Sequence, residues 1–155
     1  MESRAGVFKA AAGSMTSIDT LAAAFIDLTL PKKEWTHLAH LRVGLWHLLH
    51  HSPEEALSLL RVRIRTLNES HGVENSETGG YHESITRFYV WQIGEFLEAA
   101  GRERPIDELA AELIAEHGDK NLPLRYWSKD RLMSRDARVG WVEPDLEPLR
   151  APALK

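Results

Sequence analysis

Histidine is the residue whose number and spacing here could do chemistry. Five of the eight histidines lie in one stretch, WTHLAHLRVGLWHLLHH, from Trp35 to His51. On a helical wheel of about 100° per residue, His37, His40, His47 and His51 share an arc of roughly 80°, with Gly44 inside it. Neutral imidazole is the commonest protein metal ligand. Two from one helix turn and a third from a neighbouring helix would leave an open coordination position, as in catalytic zinc sites. His82, in the run Tyr81-His82-Glu83, is the third candidate. Water bound at such a position has a pKa of about 7 and becomes a usable nucleophile, with Glu83 or Tyr81 as base or as a group orienting a ligand. The implied cofactor is a divalent transition metal (zinc, nickel or iron) held by His37, His40 and His82, in an enzyme acting on a small molecule.

Two other readings fit the same residues. Helix N-termini present free N–H groups and partial positive charge, so a carboxylate or phosphate could rest there, held by protonated histidine and by Arg125 or Arg87, with Tyr126 as a further ligand-binding candidate. The protein would then be a binding module for an anionic small molecule. Alternatively, the histidines are hydrogen-bonded structural groups and the chain is a structural or partner-binding helical protein. His47, His50 and His51 are expected at the opposite end of the helix, where its dipole favours imidazolium, as solvated or capping groups.

The elements that position these residues follow from caps and periodicity. Thr16 or Ser17 can cap a first helix with apolar positions Ile18, Leu21, Ala22, Phe25 and Ile26, ending near Leu30 before Pro31. Thr36 is the expected N-cap of the second, with Trp35 packing back as a staple. Ser52-Pro53-Glu54-Glu55 combines a cap, a proline at the first helical position and a glutamate that closes a capping box, which opens a third helix running to about His71. Its stripe is Leu57, Leu60, Ile64 and Leu67, with Arg61 and Arg65 on an exposed side. A polar, glycine-rich loop, VENSETGG, precedes a fourth helix from Tyr81 or His82 to Ala100. There His82, Ile85, Thr86, Tyr89, Ile93 and Phe96 share a face, and Glu83 is placed to pair with Arg87 one turn on. Ile106 to about His117 forms a fifth. Beyond Gly118 the pattern weakens: Ser128 and Ser134 can each cap a short turn, and the proline-spaced tail should be extended.

Short connections make neighbouring helices antiparallel, so the second and fourth run parallel and their N-termini share one end of the bundle. His37, His40 and His82 meet there, and the segment after the fifth helix, with His117, Arg125, Tyr126 and Trp127, returns to the same end. The fold expected is all-α, a single-domain bundle of about five helices over residues 16–147, with a disordered leader at 1–15 and a flexible tail at 148–155.

Composition bounds the remaining options. The formal net charge of −4 argues against nucleic-acid binding, which runs on a basic surface. With no cysteine there can be no disulfide, thiolate metal site or cysteine nucleophile. No apolar run reaches the roughly 18 residues needed to cross a membrane, and residues 1–15 contain no secretory h-region; a cytoplasmic protein without membrane partners is expected. The tryptophans read as core packing, although Trp46 and Trp91 could equally face a partner such as a second copy in a homodimer.

Four motifs taken together resemble an uncharacterised family of small bacterial helical proteins: Thr36-His37-x-x-His40-Leu41, Tyr81-His82-Glu83-x-Ile85-Thr86, Arg125-Tyr126-Trp127-Ser128 with the following Leu132, Ser134, Ala137 and Arg138, and Trp141-Val142-Glu143-Pro144-Asp145-Leu146. The resemblance spans roughly residues 35–147. More loosely, a histidine after a tryptophan near the start of the second helix is similar to the DinB-like metal-binding four-helix bundles, which implies three histidines around a divalent metal. This chain lacks their late HxxxH pair.

Overall fold

A computed structural model describes residues 17–149. The expectations for a leader at 1–15, for a cap at Thr16 and for the tail from 150 onward lie outside the described residues. Five helices of eleven residues or more dominate: α1 (Ser17–Asp27), α2 (His37–His50), α3 (Pro53–Ser70), α4 (Glu83–Ala100) and α5 (Ile106–His117). Two short helices follow, α6 (Lys129–Leu132) and α7 (Arg135–Val139), and 3₁₀ turns occupy Lys32–Glu34 and Leu122–Arg125. No strand occurs among the described residues, so the chain is an all-α bundle. None of the helices is long and apolar enough to cross a membrane.

Local side-chain chemistry starts most of these helices where the sequence indicates. Thr36 Oγ1 accepts from Ala39 N at 3.2 Å, and Ser52 and Glu55 form the complete capping box. Ser128 and Ser134 cap α6 and α7. At the other end of α1, the helix stops at Asp27 rather than near Leu30. Leu28 adopts φ +65°, the left-handed conformation that usually falls to glycine just past a helix end.

α2 packs against α1, α3, α4 and α5, which accounts for its near-continuous apolar sequence. Leu41, Leu45 and Leu48 meet Phe25, Leu67, Ile93, Leu109 and Leu113 in the main core. Gly44 permits a close approach to α4: a Cβ there would lie 3.0 Å from Ile93 Cδ1. Trp35 packs back as expected, stacked between Phe25 and His40.

His47 departs from its expected role. It is fully buried, with Nδ1 donating to Val43 O at 2.8 Å and bare Nε2 accepting from Arg63 at 2.9 Å. Burial lowers its pKa to about 3, so it is neutral rather than the imidazolium that a solvated helix end would favour.

The segment after α5 is more ordered than its weak periodicity implies. Phe88, Trp91, Tyr126, Trp127 and Leu132 form a second aromatic core on the far side of α4. The extended stretch beyond α7 is tied to that core: Trp127 Nε1 donates to Val142 O, Ser128 N and Oγ to the Asp145 carboxylate, and Leu146 N to Tyr126 O. Ser84 of α4 completes the attachment, donating to Gly140 O at 2.7 Å and accepting from Val142 N.

Candidate functional site

The first turns of α2 and α4 and the segment after α5 meet at one end of the bundle, around a pocket of about 600 Å³. Its deep wall is aliphatic: Leu41, Val43 and Leu48 of α2, Leu60 and Ile64 of α3, and Val90 and Ile93 of α4. The outer wall carries His37, His40, Thr86 and Tyr89, and the chain from Lys120 through Leu124 to Met133 closes one side. Such a size and a lining of apolar surface with a few polar groups are typical of small-molecule sites.

Two of the three histidines expected there are present. His37 Nε2 donates to Gly118 O at 3.1 Å, fixing the turn that ends α5 against α2; in the neutral ring that leaves Nδ1 as the acceptor. His40 donates from Nδ1 to Thr36 O at 2.7 Å, which leaves Nε2 bare, and its ring stacks on Trp35 with centroids 3.7 Å apart. Crowding by the pocket wall lowers the His40 pKa; water reaches the ring at the mouth and moderates that effect. Both rings therefore offer hydrogen-bond acceptors.

His82 does not join them. It precedes α4 in extended conformation (φ −132°, ψ 111°), so the wheel that put it on the pocket face does not apply to it. Its ring folds back over the helix start and Nδ1 accepts from Ile85 N at 3.1 Å, while Nε2 donates to Leu132 O at 2.7 Å. With both nitrogens committed it has no lone pair for a metal. Burial lowers its pKa, in keeping with a neutral ring whose bare nitrogen caps a helix. Among the described residues no group of three or more His, Asp or Glu side chains is arranged to hold a metal ion.

The remaining expected site residues also lie outside the pocket lining. Glu83, expected to pair with Arg87, instead receives the Arg61 guanidinium of α3 through Nε and Nη2, and the Tyr81 hydroxyl at 2.7 Å. Burial raises the Glu83 pKa, but these donors outweigh it and hold the carboxyl below its usual range. Arg61 is thus a half-buried ion-pair partner and not a solvated surface group, and Arg65 lies 4.5 Å from the Tyr81 ring centroid. Arg87 is buried with its guanidinium 4.8 Å from the Trp141 ring centroid. Arg125 is exposed and pairs with Glu147, and Tyr126 belongs to the second aromatic core. His117 edges onto Phe96 in a separate, smaller cleft between α4 and α5.

Five polar residues outside the expected site also line the pocket: Thr86, Tyr89, Lys120, Asn121 and Lys129. Lys120, Asn121 and Lys129 come from the segment whose periodicity is weak. Tyr89 was legible, since it shares the α4 face with Ile85, Thr86 and Ile93. Its hydroxyl is buried without a hydrogen-bond partner among the described residues, and burial raises its pKa, so it stays a phenol. Thr86 is spoken for, donating to His82 O at 2.8 Å. Among the described residues no carboxylate lines the pocket.

No family model, curated protein or solved structure matches this chain.

Proposed function

We propose that this protein binds a small, predominantly apolar molecule in the pocket between α2, α3, α4 and the segment from Lys120 to Met133. The observation that carries this reading is a pocket of about 600 Å³, walled largely by aliphatic side chains, between helices of the bundle. Close packing is the rule in protein interiors, and a void of this size forgoes much dispersion energy unless a ligand supplies it. The polar groups at its outer wall would orient the guest: the bare nitrogens of His37 and His40 can accept hydrogen bonds, and Asn121 can donate or accept.

A metal-dependent enzyme built on His37, His40 and His82 has less support, because His82 spends both ring nitrogens within the protein. The anion site expected around Arg87 and Arg125 is also less supported, since neither lines the pocket.

Binding of N-phenyl-1-naphthylamine, a neutral fluorophore, tests the reading. One saturable site with blue-shifted emission is expected. Ile64→Trp, which replaces a half-buried pocket residue by a larger one, should abolish that signal while the far-ultraviolet circular dichroism stays helical. Absence of saturable binding to the wild-type protein, or full binding to the filled variant, would overturn it.

A further inference from the structure

We infer that the ligand is an amphiphile of the alkyl carboxylate class, its chain among the aliphatic side chains and its carboxylate at Lys120 and Lys129. This rests on the pocket being a ligand site, and goes on to name the ligand's chemistry.

Charge carries the inference. Among the described residues the lining holds Lys120 and Lys129 and no Asp, Glu or Arg, although the chain as a whole is acidic at −4. Both lysines are exposed, and among the described residues neither side chain makes an ion pair or hydrogen bond. The acid nearest in sequence, Asp119, turns Oδ1 to Asn121 N at 2.9 Å. Two exposed lysines without an ion pair among the described residues thus line a pocket that is otherwise mainly apolar, where they complement an anionic head.

The pocket's shape of charge selects the class. Its buried lining is largely aliphatic, with Leu41, Leu48, Leu60 and Ile93, and takes a hydrocarbon. Its exposed lining offers lysine point charges without the planar arginine fork that favours bidentate phosphate recognition. A monoanionic carboxylate at the wetted rim also avoids the cost of carrying charge into the aliphatic interior. The lysines, not the histidines, supply the attraction for a carboxylate.

Displacement of pre-bound N-phenyl-1-naphthylamine by decanoate and by decanol, at pH 8 and low salt, tests this directly. An apolar pocket without a head-group site takes the alcohol at least as well as the acid, because decanoate is the more strongly hydrated. Here decanoate is expected to bind more tightly. Lys120→Gln/Lys129→Gln should weaken decanoate by about three- to tenfold, the size expected for two exposed ion pairs, and leave decanol within about twofold. Raising sodium chloride from about 0.05 to 0.5 M should weaken decanoate selectively. Equal or tighter binding of decanol, unchanged in the double variant, would overturn the head-group assignment while leaving the pocket reading intact. Failure of the fluorophore itself to bind would remove the pocket reading, and this inference with it.

Discussion

Replacing His82 tests the reassignment of that residue most sharply. In His82→Ala the cap on Ile85 N disappears, a loss of about 1 kcal/mol for a typical N-cap. The Leu132 carbonyl also loses its donor, and an unsatisfied buried acceptor costs about 1–3 kcal/mol. Together the variant should be destabilised by about 2–4 kcal/mol, a large part of the roughly 5–15 kcal/mol of a domain this size. His82→Asn separates the two contributions. Asparagine is among the best N-caps, yet is too short to reach Leu132, so it should recover about 1 kcal/mol. Urea unfolding followed by circular dichroism reads both. With a slope near 2 kcal/mol per molar, the alanine variant should lose about 1–2 M in midpoint and the asparagine variant visibly less. Midpoints of both variants within about 0.2 M of wild type, or asparagine no better than alanine, would refute this account of His82. A destabilisation that chelator treatment of the wild type reproduces would instead return His82 to a metal.

Three further outcomes follow from other contacts. Acidification should destabilise the fold through His47: its pKa is depressed to about 3 from the ordinary 6.5, so the unfolded chain binds the extra proton between those values, and the stability this contributes at neutral pH is lost as pH falls from 6.5 toward 3. His47→Gln, which keeps an acceptor for Arg63, should flatten that slope in urea melts between pH 7 and 4; an unchanged slope would refute it. Glu83→Gln removes the charge that Arg61 and Tyr81 serve and should cost about 2 kcal/mol at pH 7, with the difference shrinking at low pH because the depressed carboxyl pKa makes its contribution fade as pH falls; fluorophore binding at the pocket should survive. Leu28→Gly should stabilise by about 0.5–1 kcal/mol, since the left-handed backbone at φ +65° penalises a side chain with a Cβ, and no gain in thermal melts would contradict this.

What the sequence made legible was local or topological. Thr36, Ser52, Ser128 and Ser134 cap helices through contacts three residues away, so their types and spacing suffice. Short connections likewise placed the starts of α2 and α4, with the segment after α5, around one cavity. The wheel failed at His82 because it assumes helical geometry one residue before the helix begins. It could not foresee Arg61 reaching Glu83 across to α4, nor Arg63 burying His47, because those choices are made between helices. The two lysines were hidden for another reason: they sit in irregular backbone, where periodicity carries no information about which way a side chain faces.

The hydrogen bond from His82 to Leu132 has a kinetic side. Leu132, with Lys129 and Met133, forms one wall of the pocket; it packs with Phe88 and Trp91 of α4 and is hydrogen-bonded to the cap of that helix at His82, while Ser84 holds the following stretch at Gly140 and Val142. A guest in the pocket rests against this wall, and short surface segments open locally at less than the global unfolding free energy. Ligand residence time should therefore be set by how often α6 lets go of α4. A change at residue 82, remote from any guest, would shorten residence and leave the contacts that hold the guest untouched.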